Sequence, residues 1–162
     1  YLSCMLILLS FVTVNAQEKK ELKEGDQAPT FKYLDINGKE VSLSDLKGKY
    51  VYIDVWATWC GPCQYELPHL KELEKKMHGK KIVFVSISCD KDKAAWEKMV
   101  KEQGLGGVQL HNGGDREFMT AFGIRGIPRF ILLDKEGKVV NANMTRPSNA
   151  ETEKTLKALK GI

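Results

Sequence analysis

The stretch that most limits how this chain can fold is YVYIDVW, Tyr50 to Trp56. Its residues favour extended backbone, and the run is almost unbroken by polar side chains. A half-exposed strand would alternate polar and apolar positions, so this one reads as a central strand covered on both faces. A second such run, KIVFVSIS at 81–88, follows a segment with Leu67, Leu70, Leu73 and Met77 at helical spacing.

The rest of the chain alternates in the same way. Phe31–Leu34 and Val41–Leu43 read as short strands about an Asp35-Ile36-Asn37-Gly38 turn, since Asn-Gly favours a tight hairpin. Ser44–Gly48 reads as a turn. Helices are predicted over about 61–78, with Pro68 inside and expected to kink it, over 92–103, and over 115–122. Val108–Leu110 is a possible short strand. Arg129–Asp134 and Lys138–Ala142 are strands joined at Lys135-Glu136-Gly137, and a last helix covers 149–159, with Ser148 and Glu151 spaced as a capping box. Strands alternating with helices, then a closing hairpin and helix, define an α/β fold: a central mixed sheet with helices on both faces. No internal repeat or low-complexity segment interrupts it.

With 162 residues, 43% apolar and 28% charged, the chain is long enough for one well-cored domain and ordinary in composition. Its net charge of +4 is spread over many segments with no basic run, which argues against nucleic-acid binding. The first residues differ from all that follow. YLSCMLILLSFVTVNAQ carries no charge before Glu18, is apolar from Leu6 to Val14, and ends in a small-x-small pattern at Val14-Asn15-Ala16. This reads as a secretory signal over 1–16, lacking its basic start and cleaved after Ala16, then a polar lead-in over 17–24 and one domain over 25–162. An uncleaved anchor is the alternative, although the apolar run is short of the roughly 20 residues a span needs. The expected location is therefore outside the cytoplasm, periplasmic and soluble, with membrane contact only if the signal stays attached. Cys4 leaves with the signal.

The mature chain then holds Cys60, Cys63 and Cys89, an odd count that cannot form a fully paired framework. A Cys60–Cys63 bridge closes too short a loop to serve as a useful staple. A zinc site would need two further ligands, yet Cys89 stands alone and His69, His78 and His111 lack ligand spacing among themselves. A copper site is no better supported. The redox reading explains more. Cys60 falls where a buried strand meets a helix, and free N–H groups and the helix dipole there stabilise a thiolate. Cys63 lies one turn further on, and Gly61-Pro62 suits the first turn, where proline forfeits no needed N–H.

Two more features agree. Asp54 interrupts the central strand, where a buried carboxylate is costly unless it has partners or work. It is either a strand-end residue reaching solvent or a buried general base that takes the proton of Cys63. Glu66, one turn past Cys63, either shares that proton transfer or is an exposed helix carboxylate. Far along the chain, FGIRGIPRFILLD puts Pro128 at the start of a strand. A cis Ile127–Pro128 bond there would leave the Ile127 backbone free to pair with an extended substrate.

WCGPC after an Asp-containing strand, Pro68 in the next helix and GIPRFILLD downstream resemble the thioredoxin fold and its thiol–disulfide oxidoreductases. The leader GDQAPTFKYLDINGKEVSLSDLKGKYVYIDVWATWCGPC is similar to the exported TlpA/ResA-type branch, and the likeness runs from about Gly25 to the end. It implies Cys60 as attacking thiol, Cys63 as resolving thiol and Pro128 as the cis-proline. Asp54 matches the buried acid of thioredoxin, and Glu66 the active-site glutamate of the ResA-type members; carrying both is less usual. The resemblance adds a hairpin at the N-terminus and an inserted helix–strand within 81–110. A peroxiredoxin is excluded because ATWCGPC lacks the Pro and Thr of the PxxxTxxC setting.

The activity expected is dithiol–disulfide exchange with no cofactor and no metal. Trp59, Gly61, Pro62, Ile127 and Pro128 are the candidate substrate-binding residues. The Gly-Pro spacer and the resemblance favour reduction, which in an oxidising compartment requires a membrane thiol-transfer protein as electron donor. Disulfide-containing exported proteins are the implied substrates, cytochrome c apoproteins among them. The rivals are an oxidising disulfide donor and a thioredoxin-like module that holds a metal or a partner without turnover. Cys89 reads as an inert core-edge thiol, and the glycines between 104 and 114 as turn residues that lack a phosphate-loop ending.

Overall fold

The computed structural model describes residues 21–162; the expected signal over 1–16 and the first half of the lead-in, 17–20, lie outside the described residues. In chain order the elements are β1 (Lys32–Asp35), β2 (Glu40–Ser42), β3 (Tyr50–Trp56), α1 (Gly61–Lys76), β4 (Ile82–Ser88) and α2 (Lys93–Glu102). They continue with β5 (Val108–His111), α3 (Glu117–Ala121), β6 (Arg129–Leu133), β7 (Val139–Met144) and α4 (Ala150–Lys157). One sheet of seven strands runs β2-β1-β5-β4-β3-β6-β7. The β3–β4 and β4–β5 pairs are parallel, and the others are antiparallel, so the sheet is mixed as expected.

The apolar run Tyr50–Trp56 is an interior strand of the sheet, between β4 and β6. Its side chains alternate between two cores, as the period of a strand requires. Val51, Ile53 and Val55 join Phe31, Val85, Ile87, Phe118, Phe122 and Ile131 on one face, beneath α3. Tyr52 faces the other way, with Leu70, Leu73 and Met77 of the α1 segment, Phe84, Phe130, Leu132 and Leu156 of α4. Trp56 shares that second face and meets Cys60, Cys63, Leu67 and, from α2, Trp96 and Val100. Helices therefore cover both sides, and α1 and α2 close over the end of β3 where the cysteine pair sits.

Two local expectations change. The 35–38 turn forms, with Gly38 N–H donating to the Asp35 carbonyl at 3.0 Å, but only Gly38 takes a positive φ, so Asn37 does not form a mirror-type hairpin turn. Asp35 carboxylate instead accepts from the N–H groups of Asn37 and Lys39. The capping box expected at Ser148 is absent. Asn149 caps α4, its side chain accepting from Glu151 N–H at 2.9 Å. A capping box does form earlier, between Ser42 and Asp45, at a 3-10 turn over Leu43–Leu46. Pro68 lies inside α1 without ending it.

Candidate active site

Strand β3 ends at Trp56, and a short loop delivers Cys60 to the N-terminal end of α1. Cys60 is the N-cap, with extended backbone, and its Sγ accepts the N–H of Cys63 at 3.2 Å. This is the contact expected of a helix N-terminus that stabilises a sulfur anion. Cys60 and Cys63 are joined as a disulfide, S–S 2.06 Å, and both are nearly covered, at 5% and 2% exposure. Pro62 occupies the first turn, where it displaces no helical hydrogen bond.

The facing wall comes from the segment before β6. The Ile127–Pro128 peptide bond is cis, as the sequence reading expects, and the Ile127 carbonyl oxygen lies 3.7 Å from Cys60 Sγ. Trp59 stands on the outer side and is 70% exposed, a large apolar surface beside a reactive pair. Gly61 and Pro62, next to Cys60 in the chain, are exposed.

Asp54 does not reach solvent. It is 4% exposed, and burial pushes its carboxyl up to about 7; the Ser86 hydroxyl pulls the other way, while the charges of Glu66 and Glu74 add to the rise. A carboxyl poised there can hold or release a proton near neutral pH. Glu66 is not an exposed helix carboxylate either. It is 3% exposed, and its two oxygens accept the N–H of Ser148 at 2.9 Å and its Oγ at 2.8 Å. It ties α1 to the start of α4, which is why Ser148 is unavailable as a cap.

Asp90 is a site residue that the sequence reading missed. It is 2% exposed, and its carboxylate accepts Thr58 N–H, Thr58 Oγ1 at 2.7 Å and Ser88 Oγ at 2.6 Å. Thr58 belongs to the loop that delivers Cys60, so the carboxylate fixes that loop to the end of β4. The available signal was an acidic residue two positions past the end of a buried strand. Cys89, beside it, is half-buried and donates to the Trp56 carbonyl at 3.3 Å; burial and the Asp90 charge push its thiol up. Among the described residues no three His, Cys, Asp or Glu side chains gather as a metal site, and no helix is long and apolar enough to cross a membrane.

A helix-capping cysteine, its buried partner and a cis-proline wall on this sheet define a thioredoxin-fold enzyme of dithiol–disulfide exchange. The chain belongs to the Redoxin family, whose model matches residues 23–159. Among similar curated proteins, thiol-disulfide oxidoreductase ResA of Bacillus subtilis is 33% identical over 138 residues, covering 84% of this chain and 76% of that one. The ResA of Bacillus anthracis is 32% identical over 143 residues, covering 88% and 82%. A solution structure of a Bacteroides vulgatus protein assigned as a thiol-disulfide oxidoreductase shares 65% identity, with TM-score 0.74 over 80% of this chain and 86% of that one. The thioredoxin domain of another Bacteroides vulgatus thiol-disulfide oxidoreductase shares 31%, with TM-score 0.77 over 85% and 97%. The protein is thus a thiol–disulfide oxidoreductase of thioredoxin-like, ResA-like type.

Proposed function

We propose that this oxidoreductase is exported and works as a reductant of disulfides in extracytoplasmic proteins. The observation that carries the chemistry is the placement of Cys60 Sγ, capped by the Cys63 N–H at 3.2 Å and opposite the Ile127 carbonyl. In the reduced enzyme the Cys60 thiolate attacks one sulfur of a substrate disulfide, and the other sulfur leaves as a thiolate that takes up a proton. Cys63, giving its proton to Asp54, then attacks Cys60 in the mixed disulfide and releases the second substrate thiol. The substrate gains two electrons and two protons, and the enzyme keeps the Cys60–Cys63 bond. Glu66 supports Asp54 by adding negative charge near it. Trp59, Gly61, Pro62, Ile127 and Pro128 form the surface that receives the substrate chain.

Export rests on the apolar segment that ends at Ala16, and the reducing direction on the Gly-Pro spacer and the ResA likeness. Recharging then falls to a membrane thiol-transfer protein, and the substrates are exported proteins whose cysteines must stay reduced, cytochrome c apoproteins among them. The reduction potential of the Cys60–Cys63 couple tests the direction, read by tryptophan fluorescence across dithiothreitol ratios. A value of about −270 mV or lower is expected; a value nearer about −120 mV would make the protein a disulfide donor instead. A pair inert to reductant would identify a binding module without turnover.

A further inference from the structure

A groove of about 1100 Å³ opens beside the cysteine pair, between the β4–α2 loop, the β5–α3 loop and the chain leading to Pro128. Trp59 and Ile127 line its near end, so it is continuous with the surface that flanks Cys60. Ala95, Met119 and Ile124 supply apolar lining. The volume exceeds what most small ligands fill, and the uncovered indole of Trp59 adds an apolar lip.

Three cations and two carboxylates line the groove. Lys91, Arg116 and Arg125 line it, all exposed. Two carboxylates also line it, but both are engaged by the fold. Asp90 is buried under the donors of Thr58 and Ser88, and Asp92 caps α2 through Ala95 N–H, where the helix dipole offsets its charge. Among the described residues Lys91 and Arg116 make no ion pair, and Arg125 meets Glu21 only at 4.0 Å, with both side chains well exposed. Such a pair is weak and easily displaced. Arg116 also acts inward, its charge reaching the Cys89 thiol in the groove.

Resting on the reductase reading above, we infer that this groove selects substrate polypeptides carrying acidic residues within a few positions of the disulfide cysteine, with an apolar residue against Met119 and Ile124. The three cations attract and orient the acidic segment while Trp59 and Ile127 deliver its cysteine to Cys60. A basic segment is disfavoured by the same three cations, which outnumber the two carboxylates of the lining.

The test compares disulfide-linked homodimeric peptides that differ only in two residues flanking the cysteine: Asp, Asn or Lys. The full-length reduced enzyme should reduce the Asp peptide about tenfold faster than the Lys peptide at low ionic strength, the ratio shrinking as salt rises. Combining Lys91→Glu, Arg116→Glu and Arg125→Glu should reverse the order, with thermal unfolding and reduction of neutral bis(2-hydroxyethyl) disulfide unchanged. Should the triple variant not fold, the single Arg116→Gln variant should still narrow the ratio. Equal rates for all three peptides, or an acidic preference that survives the charge changes, overturn the groove assignment and leave the reductase intact. A groove closed by a second copy, seen as a dimer that charge reversal dissolves, also overturns it. Failure to reduce even the small neutral disulfide overturns the reductase reading itself.

Discussion

The backbone N–H of Cys63 points at the sulfur of Cys60 across 3.2 Å, so the residue proposed to resolve also holds the one proposed to attack. An anionic Cys60 gains a donor and the positive end of α1, whereas Cys63 sits deeper, at 2% exposure. In the reduced protein iodoacetamide should therefore modify Cys60 at least about tenfold faster than Cys63 at neutral pH. Mass spectrometry of timed samples gives the ratio, and equal labelling would remove the basis for their separate roles. A Cys63→Ser variant should trap a mixed disulfide, and Cys60→Ser should be inactive.

Asp54 should make stability depend on pH in a stated direction. Burial raises its carboxyl to about 7, against an unfolded value of about 3.9. Between these values the folded protein keeps a proton that the unfolded chain has lost. Its contribution is complete below about pH 4 and is lost as pH rises through 7. In urea titrations of the oxidised protein, Asp54→Asn should gain on the wild type by roughly a few kcal/mol between pH 4 and pH 8. A difference that does not move with pH would mean that Asp54 titrates as an exposed carboxylate. The same variant should slow release of substrate from the mixed disulfide more than it slows the first attack.

Glu66 joins two helices through one residue of the α4 approach. Glu66→Gln keeps the shape but weakens both bonds from Ser148, and should cost about 1.5–3 kcal/mol in urea unfolding. Ser148→Ala removes only the hydroxyl bond and should cost about 1 kcal/mol. The two changes together should cost less than their sum, because they remove one shared contact.

Asp90 holds the loop before Cys60 through Thr58. Asp90→Ala strands the N–H and hydroxyl of Thr58 and the hydroxyl of Ser88, for an expected loss of roughly 2–4 kcal/mol. It should also slow reduction of bis(2-hydroxyethyl) disulfide several-fold, since the loop before Cys60 loses its anchor. Thr58→Ala made in the Asp90→Ala background should add little further loss in either measurement.

The sheet, its helices and the cysteine pair were legible because each depends on local pattern: unbroken β-rich runs, helical spacing of leucines, and a CxxC at a strand–helix junction. The Ile127–Pro128 cis bond was legible only beside the cysteines, since the segment alone also suits an ordinary strand start. Glu66 and Asp90 were harder. Whether a helix carboxylate faces water or a neighbour depends on which residue arrives opposite, and Ser148 arrives from 82 positions away. The same contact explains the misplaced cap, because Ser148 and Asn149 both suit an N-cap and only the tertiary partner decides between them.

The wall opposite Cys60 is supplied by Ile127, 67 residues further along the chain, and the β3 strand gains its β6 neighbour from that same late segment. A chain made from its N-terminus therefore exposes its two thiols well before anything faces them. Until the segment around Ile127 has been synthesised and docked, Cys60 lacks its facing wall and β3 its β6 neighbour. The surface opposite Cys60 is therefore complete only once the late segment has joined the sheet.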